Sequence, residues 1–191
     1  FFANPIGGMM YRAFIESVRG ILSLILYLLN TVFWCIPLFV LAAAKAVFPM
    51  ESWRRKCSRM LNAIAENWIW VNNQNQKLVG NTLWEVQGVE ALERSGWYLV
   101  LANHQSWVDI LVLQRIFHKK IPFLKFFIKK ELLWFPILGQ AWWAMDFPFV
   151  KRYSKSHLRK KPHLKGKDLE ITRKACQKFK KIPISIMNFV E

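Results

Sequence analysis

The chain has 191 residues, of which 53% are hydrophobic, and it carries a formal net charge of +16. This length suits one domain with its own core plus an appendage, and such a combination of apolar and basic residues is unusual for a freely soluble enzyme. Anionic membranes and nucleic acid both attract such a surface. The three cysteines are widely spaced without a Cys-x-x-Cys, which argues against a disulfide framework or a zinc knuckle.

The segment from Gly20 to Ala44 contains no charged residue. Its length exceeds the about 20 residues that a spanning helix needs, and it is longer than the apolar region of a signal peptide, about 7–15 residues. We therefore predict a membrane-anchoring segment over residues 1–48. Pro37 favours a kink or a break into two shorter helices, so a single span and a returning hairpin both remain open.

Basic residues are more frequent after this apolar segment than before it. The positive-inside rule therefore predicts that the following domain faces the cytoplasm. The downstream basic residues are Lys45, Arg54, Arg55, Lys56 and Arg59.

Residues 49–82 predict an amphipathic helix, from Met50 to about Asn73, and a polar connector. Residues 83–191 then alternate between strand and helix patterns. Ser106 can cap the start of the helix that begins at Trp107. The predicted elements are a strand Leu83–Val89 that ends at a Gly turn, a strand Trp97–Ala102 buried on both faces, a helix Trp107–Phe117, short strands within 121–132 and 140–152, a basic helix Lys167–Lys180 and a strand within 182–190. This alternation predicts an α/β domain with a mostly parallel sheet flanked by helices.

Much of the positive charge lies between Lys151 and Lys181, where thirteen basic residues face two acidic ones. A charge run is often only a solvated face. Beside an anchoring segment, however, each basic residue near an anionic bilayer contributes about 1 kcal/mol. The lipid bilayer is thus the predicted partner; nucleic acid is not expected, since no groove-reading or RNA-binding module is recognisable.

An acidic residue, Asp109, follows His104 by five positions just after a predicted buried strand. On one continuous helix the two side chains would point apart, but a turn between strand and helix can bring them together. A carboxylate that holds a histidine makes that histidine a general base. Ser106 is too close in sequence to complete a triad and no G-x-S-x-G occurs, so the pair suits direct activation of a substrate hydroxyl. The spacing alone is a weak signal.

Several ordered motifs resemble those of the glycerolipid acyltransferases, the 1-acylglycerol-3-phosphate O-acyltransferase superfamily. "ANHQSWVDI" is similar to the family's first motif, N-H-x4-D, and "KKELLWFPILG" to a segment that follows it. "FVKR" resembles the second motif, and the terminal "NFVE" resembles the start of the third, F-x-E-G-T-R. The sequence "MDFPFVKRYSKSHLRKKP" most resembles the bacterial inner-membrane YihG-type branch of the superfamily.

The resemblance implies a glycerol-3-phosphate acyltransferase-like fold and a role for each matched residue. His104 would deprotonate the acceptor hydroxyl, Asp109 would orient His104, and Asn103 belongs to the same motif. The implied substrate-binding residues are Asn103, Lys129, Lys130, Arg152 and Glu191. Acyl-CoA or acyl carrier protein would be the co-substrate, with no metal ion or other cofactor, and the inner (plasma) membrane would be the location.

The implied acceptor is a lysophospholipid, with 1-acyl-glycerol-3-phosphate, lysocardiolipin and lysophosphatidylglycerol as candidates. A hydrolase that uses the same pair and a non-enzymatic basic membrane-surface protein are the alternatives. Aromatic residues would line an acyl tunnel, or simply form core and interfacial belt: Phe123, Phe126, Phe127, Trp134, Trp142 and Trp143. Because the third motif stops at Glu191, we expect residues 1–191 alone to be poorly active.

Overall fold

A computed structural model of the chain describes residues 5–79, 82–151, 166, 170, 172, 173, 177 and 183–190. Of the helix predicted for Lys167–Lys180 only residues 170, 172, 173 and 177 are described, and they are helical; most of the basic run lies outside the described residues. The helices and strands of the described part are α1 (Pro5–Val47), α2 (Glu51–Val79), β1 (Tyr98–Ala102), α3 (Val108–Phe117), β2 (Leu124–Phe126), β3 (Ile128–Lys129), a short 3-10 helix (Lys130–Trp134), α4 (Leu138–Ala144), β4 (Phe149–Val150) and β5 (Ser185–Phe189).

The apolar segment forms part of one long helix, α1, which continues through Pro37. The predicted possibility of a break into two shorter helices is therefore wrong. Residues Met9–Val47 are long and apolar enough to cross a membrane, and only 17% of the most apolar window is buried. Such exposure distinguishes α1 from the core helix of a soluble domain and agrees with the predicted membrane association.

Helix α2 runs back antiparallel along α1, and the two helices form a hairpin that the sequence did not predict. Trp53 Nε1 donates to Ala44 O at 3.0 Å, while Asn75 Nδ2 donates to Ser23 O at 3.0 Å at the opposite end. Between them, Asn30 Nδ2 donates to Asn72 Oδ1 at 2.7 Å. The side chain of Asn30 in the apolar segment thus faces α2, which supplies its hydrogen-bond partners.

The connector predicted after Asn73 and the strand predicted for Leu83–Val89 are both wrong. Helix α2 continues to Val79, because the hydrogen bond that Asn72 accepts from Asn30 and the one that Asn75 donates to Ser23 O outweigh the weak helix propensity of asparagine. No strand forms over the described residues 82–89, and none of the described strands pairs with them. The predicted turn is present, with Gly88 at φ +74°.

The sheet is parallel, as the sequence predicts, but small. Strand β5 lies between β1 and β2, with Ala102 opposite Phe189 and Phe126 opposite Met187. Strands β3 and β4 form a second parallel pair, in which Lys129 lies opposite Val150. The carboxyl ends of β1 and β5 therefore meet at one edge, where open α/β sheets place ligands.

The hydrophobic core lies between this sheet and α2. Leu61 and Ile69 of α2 pack with Ile121, Phe123 and the fully buried Met187 of β5. Among the described residues, strand β1 buries only one face, since Leu99 and Leu101 are exposed. The prediction that both faces of β1 are covered is thus not met by the described part of the chain.

Candidate active site

The turn after β1 carries the predicted catalytic pair. β1 ends at Ala102 and α3 begins at Val108, so Asn103 and His104 lie at the sheet edge and Asp109 lies in the first helical turn. Ser106 Oγ accepts a hydrogen bond from Val108 N–H at 3.2 Å. The helix begins at Val108, so its cap residue is Trp107, without a side-chain cap bond, rather than Ser106 as predicted. The short turn folds the helix start back towards the histidine.

His104 and Asp109 are in contact. His104 Nδ1 lies 3.1 Å from Asp109 Oδ2, and the backbone N–H groups of Gln105 and Ser106 donate to the same oxygen at 2.7 and 2.8 Å. Two backbone donors and the His104 ring nitrogen therefore converge on one carboxylate oxygen and fix its position. In the tautomer that donates Nδ1–H to Asp109, His104 Nε2 is left with a lone pair that can accept a proton.

The surroundings of Asp109 keep it ionised. The hydrogen bonds from the Ser106 and Gln105 backbone, followed by the hydrogen bond and charge of His104, hold the pKa of its carboxyl below the ordinary value. A carboxylate anchored by backbone amides persists into acidic solution and stabilises the imidazolium that forms when His104 takes a proton. The pair has the geometry of a general base with its orienting group.

His104 opens onto a cavity of about 710 Å³ with largely apolar walls. The cavity reaches from His104 and Phe189 at the sheet edge to Ala65 and Trp68 of α2. Its volume lies in the range of about 300–1,000 Å³ that small-molecule sites occupy. His104 lies in one wall, while the remaining walls are largely apolar.

The aromatic residues predicted to line an acyl tunnel divide into two groups. Four of them line this cavity: Phe123, Phe126, Phe127 and Trp142. The other two, Trp134 and Trp143, do not line it; their exposed fractions are 81% and 65%. The pattern of aromatics in the sequence cannot separate the two groups, because both occur within a few residues of each other.

The predicted substrate-binding residues are only partly within the described chain. Lys129 lines the cavity and Lys130 begins the 3-10 helix, both with exposed side chains. Asn103 is exposed beside His104. Arg152 and Glu191 lie outside the described residues, although Lys129 pairs in register with Val150, two positions before Arg152 in the sequence. The substrate-binding roles of all five residues stay predictions.

Sequence reasoning missed the contribution of β5 to the site. Phe189 stacks on His104 with ring centroids 4.0 Å apart, and Met187 and Asn188 line the cavity. The sequence gives no signal for this contact, because it depends on β5 inserting between β1 and β2. A parallel strand is required, but its position in the sheet is a tertiary property.

The sequence also did not predict a charge network around Asp146. Lys45 Nζ lies 2.5 Å from Asp146 Oδ2 and donates to Ala144 O at 3.1 Å, while Ser58 Oγ donates to Asp146 Oδ2 at 3.1 Å. On the opposite side, Lys125 Nζ donates to Met145 O. These contacts join both helices of the hairpin to the end of α4.

The carboxyl of Asp146 is ionised within this network. Burial acts to raise its pKa, but the hydrogen bond and charge of Lys45, with smaller contributions from Lys125 and Ser58, outweigh burial. The pKa of Asp146 therefore lies below its ordinary value. An isolated lysine after an apolar segment, such as Lys45, was the only available hint of a buried partner.

Comparison with known proteins gives one match. A family model described as Acyltransferase matches residues 84–180, just over half of the chain. The matched range includes the His104–Asp109 pair and the 3-10 helix. No curated protein and no solved structure matches the chain.

Proposed function

Since this chain belongs to the Acyltransferase family, we propose that it moves a fatty acyl group from acyl-CoA or acyl carrier protein to the free hydroxyl of a lysophospholipid. Acyl transfer is the general activity of the family. The donor, the acceptor and the membrane setting are our proposal. The observation that carries it is the opening of the His104–Asp109 pair onto a large apolar cavity.

The proposed step uses His104 as the general base. Nε2 takes the proton of the acceptor hydroxyl as the oxygen attacks the thioester carbonyl carbon. A carbon–oxygen bond forms, the carbon–sulfur bond breaks, and the departing thiolate receives the proton from the imidazolium. Asp109 keeps Nδ1 protonated and stabilises the transient positive charge. No protein nucleophile is needed.

The cavity supports a substrate with a long hydrocarbon chain. Burying each methylene contributes about 0.8 kcal/mol, so walls such as Phe126, Trp142 and Trp68 would bind an acyl chain without polar contacts. The acyl chain would run from the sheet edge towards α2. This fits an acyl donor or a lysolipid better than a small polar substrate.

A basic rim beside the cavity fits the phosphate of the acceptor. Lys129 and Lys130 end strand β3 and begin the 3-10 helix, and Asn103 lies next to the base. The resemblance of the sequence motifs adds Arg152 to this set and implies that Glu191, in the third motif, contacts the acceptor elsewhere than at its phosphate. Lysine and arginine bind phosphate through charge-assisted hydrogen bonds, and arginine does so in a bidentate manner.

We further propose that α1 anchors the enzyme to the inner (plasma) membrane with the catalytic domain on the cytoplasmic side. The exposed side chains of α1 are apolar over most of its length, as at Leu28, Phe33 and Val40. Exposed Arg54, Arg55 and Arg59 on α2 lie towards the end that contacts Ala44. Such an arrangement of basic residues favours the cytoplasmic side. The proposed domain limits remain 1–48, 49–82 and 83–191.

The test is acyl transfer by the full-length protein in its native membranes. Labelled acyl-CoA or acyl carrier protein is supplied with lysophosphatidate, lysophosphatidylglycerol or lysocardiolipin, and the labelled products are separated. We expect label in a diacyl product with at least one acceptor. Label released as free fatty acid at equal rates with and without acceptor would instead indicate a hydrolase, and no release at all would indicate a non-enzymatic lipid-binding protein.

A further inference from the structure

The chain between β3 and β4 displays large apolar side chains on its outer side. This segment, residues 130–144, comprises the 3-10 helix and α4. Trp134 and Trp143 are largely exposed, and Phe135 and Ile137 are about half exposed. Soluble proteins rarely expose so many large apolar side chains in one short segment, and such a patch marks a contact with a partner or a membrane.

The fold holds these side chains outward. The backbones of the 3-10 helix and α4 touch at Gly139, where an added Cβ would lie 2.2 Å from Leu133 O. Between the two helices, Ile137 has φ +66°, which is an unfavourable backbone conformation for a β-branched residue. Leu132, Leu138 and Trp142 occupy the inner side and line the 710 Å³ cavity.

The chemistry of the segment fits a lipid bilayer. Tryptophan concentrates at the membrane–water interface, where its ring enters the headgroup region and its N–H remains hydrated. Exposed Lys129 and Lys130 lie beside the apolar side chains and complement anionic headgroups, which suits a chain of net charge +16. A second protein as partner has no comparable support from this charge.

The segment is also continuous with the candidate membrane helix. Trp143 lines a pocket of about 280 Å³ together with Ala42 and Ala46 of α1 and with Arg54 of α2. Exposed Val40 and Val47 lie on the same stretch of α1. Trp143 therefore adjoins the part of α1 that ends the apolar run.

We propose that the 130–144 segment is a second membrane contact, which inserts Trp134, Phe135, Ile137 and Trp143 into the interface of an anionic bilayer. Its inner side chains form a wall of the cavity, so an acyl chain passes from the bilayer to His104 along this wall. This inference rests on the proposed function for the meaning of the cavity, but the membrane contact itself requires no catalysis.

The first test is photocrosslinking to lipid. The full chain, carrying His104→Ala to exclude turnover, is reconstituted in vesicles of phosphatidylcholine and phosphatidylglycerol that contain a phosphatidylcholine with an acyl-chain diazirine. Crosslinks are mapped by mass spectrometry. We expect them at Trp134 and Trp143 as well as on α1. Crosslinks confined to α1, or to α1 and the cavity-lining residues Leu132, Leu138 and Trp142, would overturn the proposal.

The second test compares substrate forms. The double variant Trp134→Gln/Trp143→Gln should lose about tenfold in kcat/KM with acceptor embedded in vesicles, mainly through KM, and change little with a short-chain monomeric lysolipid. Trp97→Gln, an exposed tryptophan beside β1, is the matched control and should match the wild type on both substrates.

Several outcomes would contradict the proposed membrane contact. Equal losses on both substrates, or no loss on vesicles, would contradict the membrane contact. A patch that instead joins two copies of the chain would give a dimer in detergent that the double variant abolishes, which also overturns the proposal. Wild-type inactivity on every substrate would refute the proposed function, while the crosslinks would still decide on the membrane contact. If the double variant lowers Tm, Trp134→Gln alone serves, because that side chain is the most exposed of the set.

Discussion

The ring of Phe189 lies against the ring of His104, with centroids 4.0 Å apart and planes inclined by 29°. Phe189 is the last residue of β5 and pairs in register with Ala102, two positions before His104. Phe126 stacks in turn on Phe189 at 6.3 Å. Two neighbouring strands of the sheet therefore support one face of the imidazole, while Asp109 fixes its Nδ1.

Replacement of Phe189 by alanine should lower kcat more than it raises KM for the acyl donor. Loss of the ring frees the imidazole to rotate away from the attacking hydroxyl, and a misplacement of about 1 Å can cost about a hundredfold in rate. We expect a fall of about tenfold to a hundredfold. Steady-state kinetics of Phe189→Ala, with the exposed neighbour Val190→Ala as control, measure it. Equal activity of Phe189→Ala and wild type would show that the stack has no positioning role.

Asp109→Asn should preserve the turn but impair the base. The amide oxygen can still accept the Gln105 and Ser106 N–H groups, but it carries no charge to stabilise the imidazolium. We expect kcat to fall by about 10²- to 10⁴-fold, with Tm changed much less than activity. Parallel rate and thermal-unfolding measurements test this. A variant that loses Tm and activity together would indicate a structural role for Asp109 instead.

The sequence predicts the turn and its chemistry better than it predicts the walls around them. The strand Tyr98–Ala102 and helix α3 are local features, readable from an apolar run and from helical spacing. The course of α2 beyond Asn73 depends on Asn30 and Ser23, which lie some forty to fifty positions away. The stack of Phe189 on His104 likewise depends on strand order, which no local pattern encodes.

Gly139→Ala should destabilise the fold. The added Cβ would meet the backbone oxygens of Leu133 and Leu132 at 2.2 and 2.5 Å, and backbone atoms cannot move aside cheaply. Overpacking of this kind costs about 1–3 kcal/mol. Gly20→Ala is the control, because nothing lies within 4 Å of its added Cβ and alanine favours the helix. Thermal unfolding in detergent should show a lower Tm for Gly139→Ala only; equal Tm values would contradict the close packing.

Asp146→Asn should destabilise the junction between α1 and α4. The substitution leaves Lys45 buried without its counter-charge, and breaking such a pair costs about 3 kcal/mol. The double variant Lys45→Met/Asp146→Leu removes both charges and should recover most of the loss. Unfolding free energies of the three proteins test this, and a double variant as unstable as Asp146→Asn would argue against the ion pair as the cause.

The same pair predicts a pH dependence. The pKa of Asp146 is lower in the folded chain than its ordinary value of 3.8, so the unfolded state binds more protons in this range. The stabilisation by Asp146 is present above about pH 3.8 and is lost as the pH falls through the pKa of the folded state. The Tm difference between wild type and Asp146→Asn should therefore shrink on acidification. A difference that is constant with pH would show that Asp146 does not stabilise the fold through its charge.

Acyl transfer by His104→Ala, in membranes that contain an active lysophospholipid acceptor, is the direct test of His104 as the general base. In the proposed mechanism the His104 imidazole alone removes the acceptor proton. We therefore predict that the rate of acyl transfer falls by at least about 10²-fold, while binding of the protein to the membrane is unchanged. Gln105→Ala, next in the chain and also exposed, should retain activity because its backbone N–H still donates to Asp109. Transfer by His104→Ala at the wild-type rate would contradict the assignment of this turn as the catalytic centre.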